Sequence, residues 1–272
     1  MSKEITEAAA RLWQAFEVEG TCAPVHDLIG KSDLETAYAV QEENTRRREK
    51  SGAKVVGRKV GFTSTVIQKQ LGISQPGYGI LFDDMDRPLG HIFTSAPRFY
   101  NQQPRVESEI AFVLDRDIAF ENPTTSQIID AVAYVVPALE IVVSRIVSPN
   151  ACITDIIADN ASGGYFVLGH QPRLLREVNV VDCKMTMVKK TIREEKVISD
   201  NVSGGSGTAC YGSPLNALRW LAKEMVRAGR PLREGEVVMS GALGPMASAD
   251  TGGLFEGRIE GLGNVSVSFP QP

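Results

Sequence analysis

The sequence predicts an α+β protein: a helical region, residues 1–52, leads into a β-rich domain, residues 53–272, built on a curled and largely antiparallel sheet. Two observations predict it. Apolar residues recur at helical spacing through the first fifty positions, then give way to short β-type runs broken by glycine. No internal repeat or low-complexity linker divides the chain, and 272 residues suit one large domain with an appendage as well as they suit two domains.

The first helix carries Ile5, Ala9, Leu12, Trp13 and Phe16 and stops at Gly20. A second opens at a capping box, Ser32-Asp-Leu-Glu35, carries Leu34, Tyr38 and Gln41, and ends near Ser51-Gly52. Strands are expected at 54–62, 80–82, 106–114, 138–143, 165–168, 180–188, 237–240 and 265–269. Helices are expected at 64–71, 126–135 and 213–228. The last is well punctuated, with Ser213 at the N-cap, Pro214 at the first helical position and Gly229 just past the end.

A net charge of −4 argues against nucleic acid as a partner, because phosphate contacts need a clustered basic surface. The one basic run, Arg46-Arg-Arg-Glu-Lys50, lies among glutamates and reads as a solvated helix face. No long apolar segment follows the start, so neither a signal peptide nor a membrane span is expected, and the cytoplasm is the expected location. Cys22, Cys152, Cys183 and Cys210 stand far apart and read as buried, reduced thiols. His26, His91 and His170 show no ligand spacing, so any metal is expected to be held by oxygen.

In Arg105-Val-Glu-Ser-Glu-Ile-Ala-Phe-Val-Leu114 a strand turns Glu107 and Glu109 to one side and Ile110, Phe112 and Leu114 to the other. Taken alone, these glutamates also suit a solvated face with Arg105 as partner. Glu140 lies in the apolar run Val135-Val-Pro-Ala-Leu-Glu-Ile-Val-Val143, where an ionised carboxylate without a partner is costly. Like charges set so close repel, and the pattern makes sense around Mg2+ or Mn2+, hard cations that prefer carboxylate oxygens and keep positions open for a chelating substrate. In Gly57-Arg-Lys-Val-Gly61, Lys59 shares its strand face with two glycines, which marks a close approach of ligand or an exposed edge lysine. Asp155 and Asp159, four apart, fall on one side of a helix and serve either to orient neighbouring groups or to cap a turn. Gly204-Gly-Ser-Gly207 lacks the lysine and spacing of a phosphate loop, and there is no Gly-x-Ser-x-Gly elbow.

Several of these stretches together resemble a known family. Gly57-Arg-Lys-Val-Gly-Phe-Thr-Ser64, Gln70-Leu-Gly, the 105–114 strand, Pro137-Ala-Leu-Glu140 with Ser144-Arg-Ile146, Ala158-Asp-Asn-Ala-Ser162 and Ser240-Gly-Ala-Leu-Gly-Pro-Met246 are similar to the 2-keto-4-pentenoate hydratases of the fumarylacetoacetate hydrolase superfamily. The similarity runs from Ala37-Tyr-Ala-Val-Gln41 nearly to Phe269. It implies a curled mixed sheet or β-roll behind a helical region, a homo-oligomer that can associate with another enzyme of its pathway, and a lyase of aromatic-hydrocarbon catabolism. The implied substrate is a small 2-oxo or 2-hydroxy dienoate. By position, Glu107, Glu109 and Glu140 would ligate Mg2+ or Mn2+, Lys59 would be the catalytic or substrate-binding lysine, and Ser162 would lie at the pocket. One departure stands out: Gln75-Pro-Gly-Tyr-Gly79 has Gly77 where the family has an acidic active-site aspartate, so either Asp84, or Asp83 beside it, substitutes or the chemistry has changed. A 2-oxo-3-enoate decarboxylase of the 4-oxalocrotonate type and a non-catalytic partner subunit remain as alternatives.

Overall fold

The computed structural model describes residues 2–94, 102, 104–249 and 252–270. In chain order the strands are β1 (Val55–Gly61), β2 (Gly77–Phe82), β3 (Asp86–Arg87), β4 (Arg105–Leu114), β5 (Val132–Val142), β6 (Gly163–Leu168), β7 (Lys184–Arg193), β8 (Lys196–Ser206), β9 (Val237–Met239), β10 (Ala247–Ser248), β11 (Gly253–Ile259) and β12 (Gly263–Phe269). The helices are α1 (Lys3–Glu17), α2 (His26–Ile29), α3 (Leu34–Lys50), α4 (Thr65–Leu71), α5 (Thr125–Asp130), α6 (Ile153–Ala158) and α7 (Pro214–Arg227). Among the described residues no helix is long and apolar enough to cross a membrane.

The larger sheet runs β2-β1-β9-β4-β5-β6-β3, with β10 beside β4. It is mixed, because β1 pairs β9 in parallel and β3 pairs β6 in parallel, while the remaining pairs are antiparallel. The sheet curls so far that β2 touches β6, although four strands separate them in the hydrogen-bonded order. A four-stranded antiparallel sheet, β12-β11-β7-β8, packs on its convex side.

Strand alternation decides which face is which. Val106, Ile110, Phe112 and Leu114 of β4, with Leu139 and Ile141 of β5, enter the core between the sheets and meet Phe255, Val265 and Val267 of the smaller sheet. The sheets lie close: a Cβ on Gly257 would come within 2.9 Å of Ser108 Oγ and 3.1 Å of Leu139 Cδ2. Helix α7 adds Ala217, Leu218, Leu221, Ala222 and Met225 to the same core, each large side chain contributing about 1.5–3 kcal/mol by burial. The intervening residues of β4 and β5 face the concave side. The three N-terminal helices pack with α6 around Leu12, Val40, Ile153 and Ile157, and so line the outer edge of β2.

That edge is closed by side chains. Tyr38 Oη accepts from Tyr78 N–H at 3.2 Å, Gln41 Nε2 donates to Tyr78 O at 3.1 Å, and Asn160 bonds both backbone groups of Ile80. An edge strand that would otherwise expose donors and acceptors is therefore satisfied without another strand.

The sequence expectations hold for β1, β4, β9, β12, α4 and α7 to within a few residues. Others need correction. The helix expected at 126–135 ends at Asp130, and β5 starts at Val132, because Val132, Val135, Val136 and Pro137 favour an extended chain and Pro137 would break a helix. Strands β8 and β11 were not foreseen: β8 is a largely exposed edge strand without apolar alternation. The strand expected at 180–188 lies at Lys184–Arg193, and β2 begins at Gly77 rather than at 80. Helix α3 is capped by Asp33, which accepts from Thr36 N–H at 3.1 Å, and not by Ser32.

Gly57 faces the carbonyl of Val237 on β9, where an added Cβ would sit 2.0 Å from that oxygen. We expect Gly57→Ala to force the parallel pair apart and cost about 2–3 kcal/mol, lowering the thermal midpoint by roughly 5–10 °C. An unshifted calorimetric midpoint would contradict this close approach.

Candidate functional site

The concave face of the curled sheet gathers the three glutamates. Glu107 and Glu140 are direct cross-strand partners on β4 and β5, and Glu109 follows two residues along β4 opposite Ala138. One carboxylate oxygen from each lies within 4.8 Å of the others. Glu109 and Glu140 are fully buried and Glu107 is half-buried. Such pairing of like charges across an antiparallel ladder is destabilising unless something positive sits between them.

Lys59 comes from β1, three strand spacings from β5, which is roughly 14 Å in a flat sheet. The curl brings its Nζ to 2.7 Å from Glu140 Oε1. The ammonium also donates to Ala161 O at 2.8 Å. Burial pulls its pKa down, but the Glu140 charge and hydrogen bond, with Glu107 and Glu109 behind them, outweigh that and hold it above the usual lysine range. Lys59 is thus a buried ammonium.

Burial, and then the neighbouring Glu140, push the Glu107 carboxyl up to about 7. Glu109 is raised well above the ordinary value by burial, Glu140 and Glu107, although Gly241 N–H donates to its Oε2 at 2.8 Å. Gly241 sits at φ +93°, and a Cβ there would come 2.6 Å from Thr63 Cγ2, so this donor depends on glycine. Glu109 Oε1 and Glu140 Oε2 are buried without a hydrogen-bond partner. Orphaned buried carboxylate oxygens converging with a third carboxylate form an oxygen-only donor set that fits a hard divalent cation.

The glycines that make room for Lys59 are not those its strand displays. Gly57 serves the contact with Val237, and the space beside Gly61 is open. Gly79 and Gly163 are the close neighbours, where added Cβ atoms would lie 3.1 Å from Lys59 Cγ and 3.3 Å from Lys59 Cδ. Ser162 is buried in a short turn, Asn160–Ser162, adjoining the Ala161 carbonyl that binds Lys59. Asn160, Ala161 and Ser162 all have left-handed φ, 55°, 50° and 54°, a conformation that costs roughly 1–2 kcal/mol per non-glycine residue.

Asp84 is not brought to this cluster. It lies beyond the opposite end of β2, its side chain is 58% exposed, and it is paired with Arg48. Asp83 is similarly engaged, accepting from the N–H groups of Lys54 and Asp84. At Gly77 itself a Cβ would meet the Phe62 ring at 2.9 Å and the Tyr38 hydroxyl at 3.3 Å, so an aromatic wall fills the place where an acid was expected.

A second group escaped the sequence reading. His26, Cys152 and Asp155 come together although the two histidine and cysteine positions lie far apart in sequence. Asp155 accepts from the N–H groups of Val25, His26 and Cys152 and from the His26 ring at 2.6 Å, so its oxygens are already satisfied and it ties α2 to α6. Asp159 has a comparable tie, to Arg145. Both aspartates brace the fold, one of the two roles open to them in the sequence.

No protein-family model matches the chain. Its relatives are clear nonetheless. It is 47% identical over 265 residues to the TodF product hydratase of Pseudomonas putida, covering 97% of this chain and 95% of that one. It is 46% identical over 263 residues to the 2-keto-4-pentenoate hydratase of Paraburkholderia xenovorans, covering 97% and 94%. It is 36% identical over 261 residues to the 2-hydroxyhexa-2,4-dienoate hydratase of Comamonas testosteroni, covering 96% of each. Among solved structures, 4-oxalocrotonate decarboxylase from Pseudomonas putida G7, complexed with magnesium and adipate, superposes with a TM-score of 0.88 at 28% identity over 99% of both chains. Fumarylpyruvate hydrolase from Pseudomonas aeruginosa, in complex with Mn2+ and pyruvate, shares the fold with a TM-score of 0.54 at 14% identity, over 79% of this chain and 89% of that one.

The curled mixed sheet and its recessed acidic face define a protein of the fumarylacetoacetate hydrolase fold. Within that class the chain belongs to the 2-keto-4-pentenoate hydratase family.

The titration of Glu107 sets a pH dependence. Its folded pKa of about 7 lies above the ordinary 4.5, so between those values the folded state binds more protons than the unfolded state. Stability of the cation-free protein therefore falls as pH rises across that window. Cations compete with protons for the same oxygens, so we expect Mg2+ or Mn2+ affinity to rise as pH climbs through about 7. Isothermal titration on either side of that pH checks this, and a pH-independent affinity would contradict it.

Proposed function

We propose that the protein is a divalent-metal-dependent hydro-lyase that adds water to 2-hydroxypenta-2,4-dienoate or a close analogue, giving a 4-hydroxy-2-oxo acid in the breakdown of aromatic rings. One observation carries the reading: three recessed carboxylates, two of them with orphaned oxygens, face a buried ammonium across the trough. The hydratase names of relatives matched over nearly the whole chain support it.

Glu107, Glu109 and Glu140 would hold Mg2+ or Mn2+. When bound, the cation supplies Lewis acidity, drawing negative charge toward the substrate's carboxylate and 2-oxygen. In the reaction the 2-hydroxyl proton leaves as C5 gains one; water oxygen then bonds to C4 as C3 is protonated. Charge builds on the 2-oxygen in both stages. Lys59 Nζ has three N–H groups, of which Glu140 and Ala161 O engage two. The third would donate to the 2-oxygen and stabilise the charge developing there; an ammonium cannot also accept the hydroxyl proton, which passes to water, the source of the proton gained at C5. Ser162, beside the Lys59 acceptor, lines the pocket. Asp84, held by Arg48, takes no part in this scheme.

The chain also acts as a homo-oligomer in this reading. Support comes from Ile192 and Val197, an exposed apolar pair facing each other across the β7–β8 hairpin. Light scattering that returns the mass of a single chain would remove that part.

With 2-hydroxypenta-2,4-dienoate and Mg2+, we expect loss of substrate ultraviolet absorbance with 4-hydroxy-2-oxopentanoate as product. Glu107→Gln abolishes metal-dependent turnover while the fold survives, and Lys59→Met lowers kcat by about 10²–10⁴-fold. Undiminished turnover in Glu107→Gln would refute the ligand set. Because the decarboxylase fold neighbour matches so fully, 4-oxalocrotonate should be assayed alongside; CO2 release from it without hydration of the dienoate would favour the decarboxylase instead.

A further inference from the structure

Three consecutive left-handed residues are an unusual way to cross an active-site wall, and their anchoring is specific. The strap formed by residues 159–163 is tied down at both ends by Arg145, whose Nη2 donates to Asp159 O and to Gly163 O, each at 3.1 Å. At its centre the Asn160 carboxamide acts as a substitute peptide group on the edge of β2. Its Oδ1 accepts from Ile80 N–H at 2.7 Å, and its Nδ2 donates to Ile80 O at 2.9 Å. The next residue, Ala161, presents its carbonyl to Lys59 Nζ at 2.8 Å. The strap also presses on β2, since a Cβ at Gly79 would come 2.6 Å from Asn160 O.

Among side chains that make pairs of bonds like these, only a carboxamide offers an acceptor and a donor spaced as a peptide's are. Alanine would leave the Ile80 groups unanswered, and aspartate would set a second oxygen against the Ile80 carbonyl. We propose that Asn160 is a positioning residue: its two bonds to Ile80 lock the left-handed strap and so fix Ala161 O as the acceptor that orients the Lys59 ammonium toward substrate. This rests on the role given to Lys59 above. Backbone strain at a functional site persists where its surroundings over-determine it, and here the carboxamide supplies that constraint.

Steady-state kinetics on the full-length, metal-loaded protein with 2-hydroxypenta-2,4-dienoate tests it. Asn160→Ala is expected to lower kcat roughly tenfold to a hundredfold, the scale of a small misplacement of a catalytic group, with KM and Mn2+ affinity within about threefold of the parent. Asn160→Asp, nearly isosteric and retaining one of the two bonds, should fall between them, and it serves if the alanine variant does not fold. Because Asn160 works through Lys59, neither substitution should slow the residual turnover of Lys59→Met any further. Full kcat in both Asn160 variants, a rise in KM alone, or losses that multiply with that of Lys59→Met would overturn the positioning role and leave the lyase reading standing. Full turnover in Lys59→Met would overturn both.

Discussion

Carboxylates buried side by side are the constraint to which the rest of this molecule answers. An isolated ionised carboxylate in an apolar interior is so costly that the group ordinarily neutralises, and here three of them share one face. The structure answers with partial compensation: an ammonium at 2.7 Å from Glu140 and a backbone N–H at 2.8 Å from Glu109. It stops short of satisfying them, leaving oxygens of Glu109 and Glu140 without partners. A site built only for stability would replace such a cluster with apolar side chains of similar volume. In the proposed reading this deficit would give the trough its affinity for a doubly charged ion, and the curl of the sheet meets the same need, because a flat sheet would hold Lys59 too far from Glu140.

The helical region serves that geometry from outside. Helices α3 and α6 are joined through Gln41, which donates to Ile157 O as well as to Tyr78 O, so one side chain ties a helix pair to the edge strand. Asp155 fixes the start of α6 against α2, and the last turn of α6 runs straight into the strap over Lys59. The placement of one ammonium thus depends on a chain of satisfied polar contacts reaching to the first helices.

Legibility in the sequence was uneven for physical reasons. The side-chain period of two in a strand is rigid, so Glu107 and Glu109 sharing a face opposite Ile110 and Phe112 was readable from β4 alone. Glu140 was readable as a charge out of place in an apolar run. The cross-strand register pairing Glu107 with Glu140 was not, since it is set by tertiary packing. Nor was the source of space around Lys59: the glycines adjacent in sequence proved to be packing and open surface, whereas the relevant ones, Gly79 and Gly163, come from other strands. The strap left no periodic signal, because left-handed conformations of Asn160, Ala161 and Ser162 are imposed by contacts outside the segment. Strand β8, polar and largely exposed, has no apolar pattern to find.

The acid expected near β2 raises a last point about how proton transfer is divided. Proximity in sequence made Asp84 a natural substitute for the residue missing at position 77, but the two lie at opposite ends of β2, about 17–20 Å apart along a strand of this length. What occupies the neighbourhood of Gly77 is aromatic: the Phe62 ring, held with a left-handed backbone at φ 57°, and Tyr38 stacked on Tyr78 with ring centroids 4.3 Å apart. The Tyr38 hydroxyl is itself engaged with the backbone of Tyr78, and burial raises its pKa, so it is a poor proton donor at neutral pH. The Phe62 and Tyr38 rings pack against the apolar cluster of the N-terminal helices and supply no charge beside Gly77. In the proposed reaction, charge stabilisation would therefore rest on the side of the trough where Lys59 and the glutamates meet, and the geometry of that single ammonium would matter more than in a site with a second acid across from it.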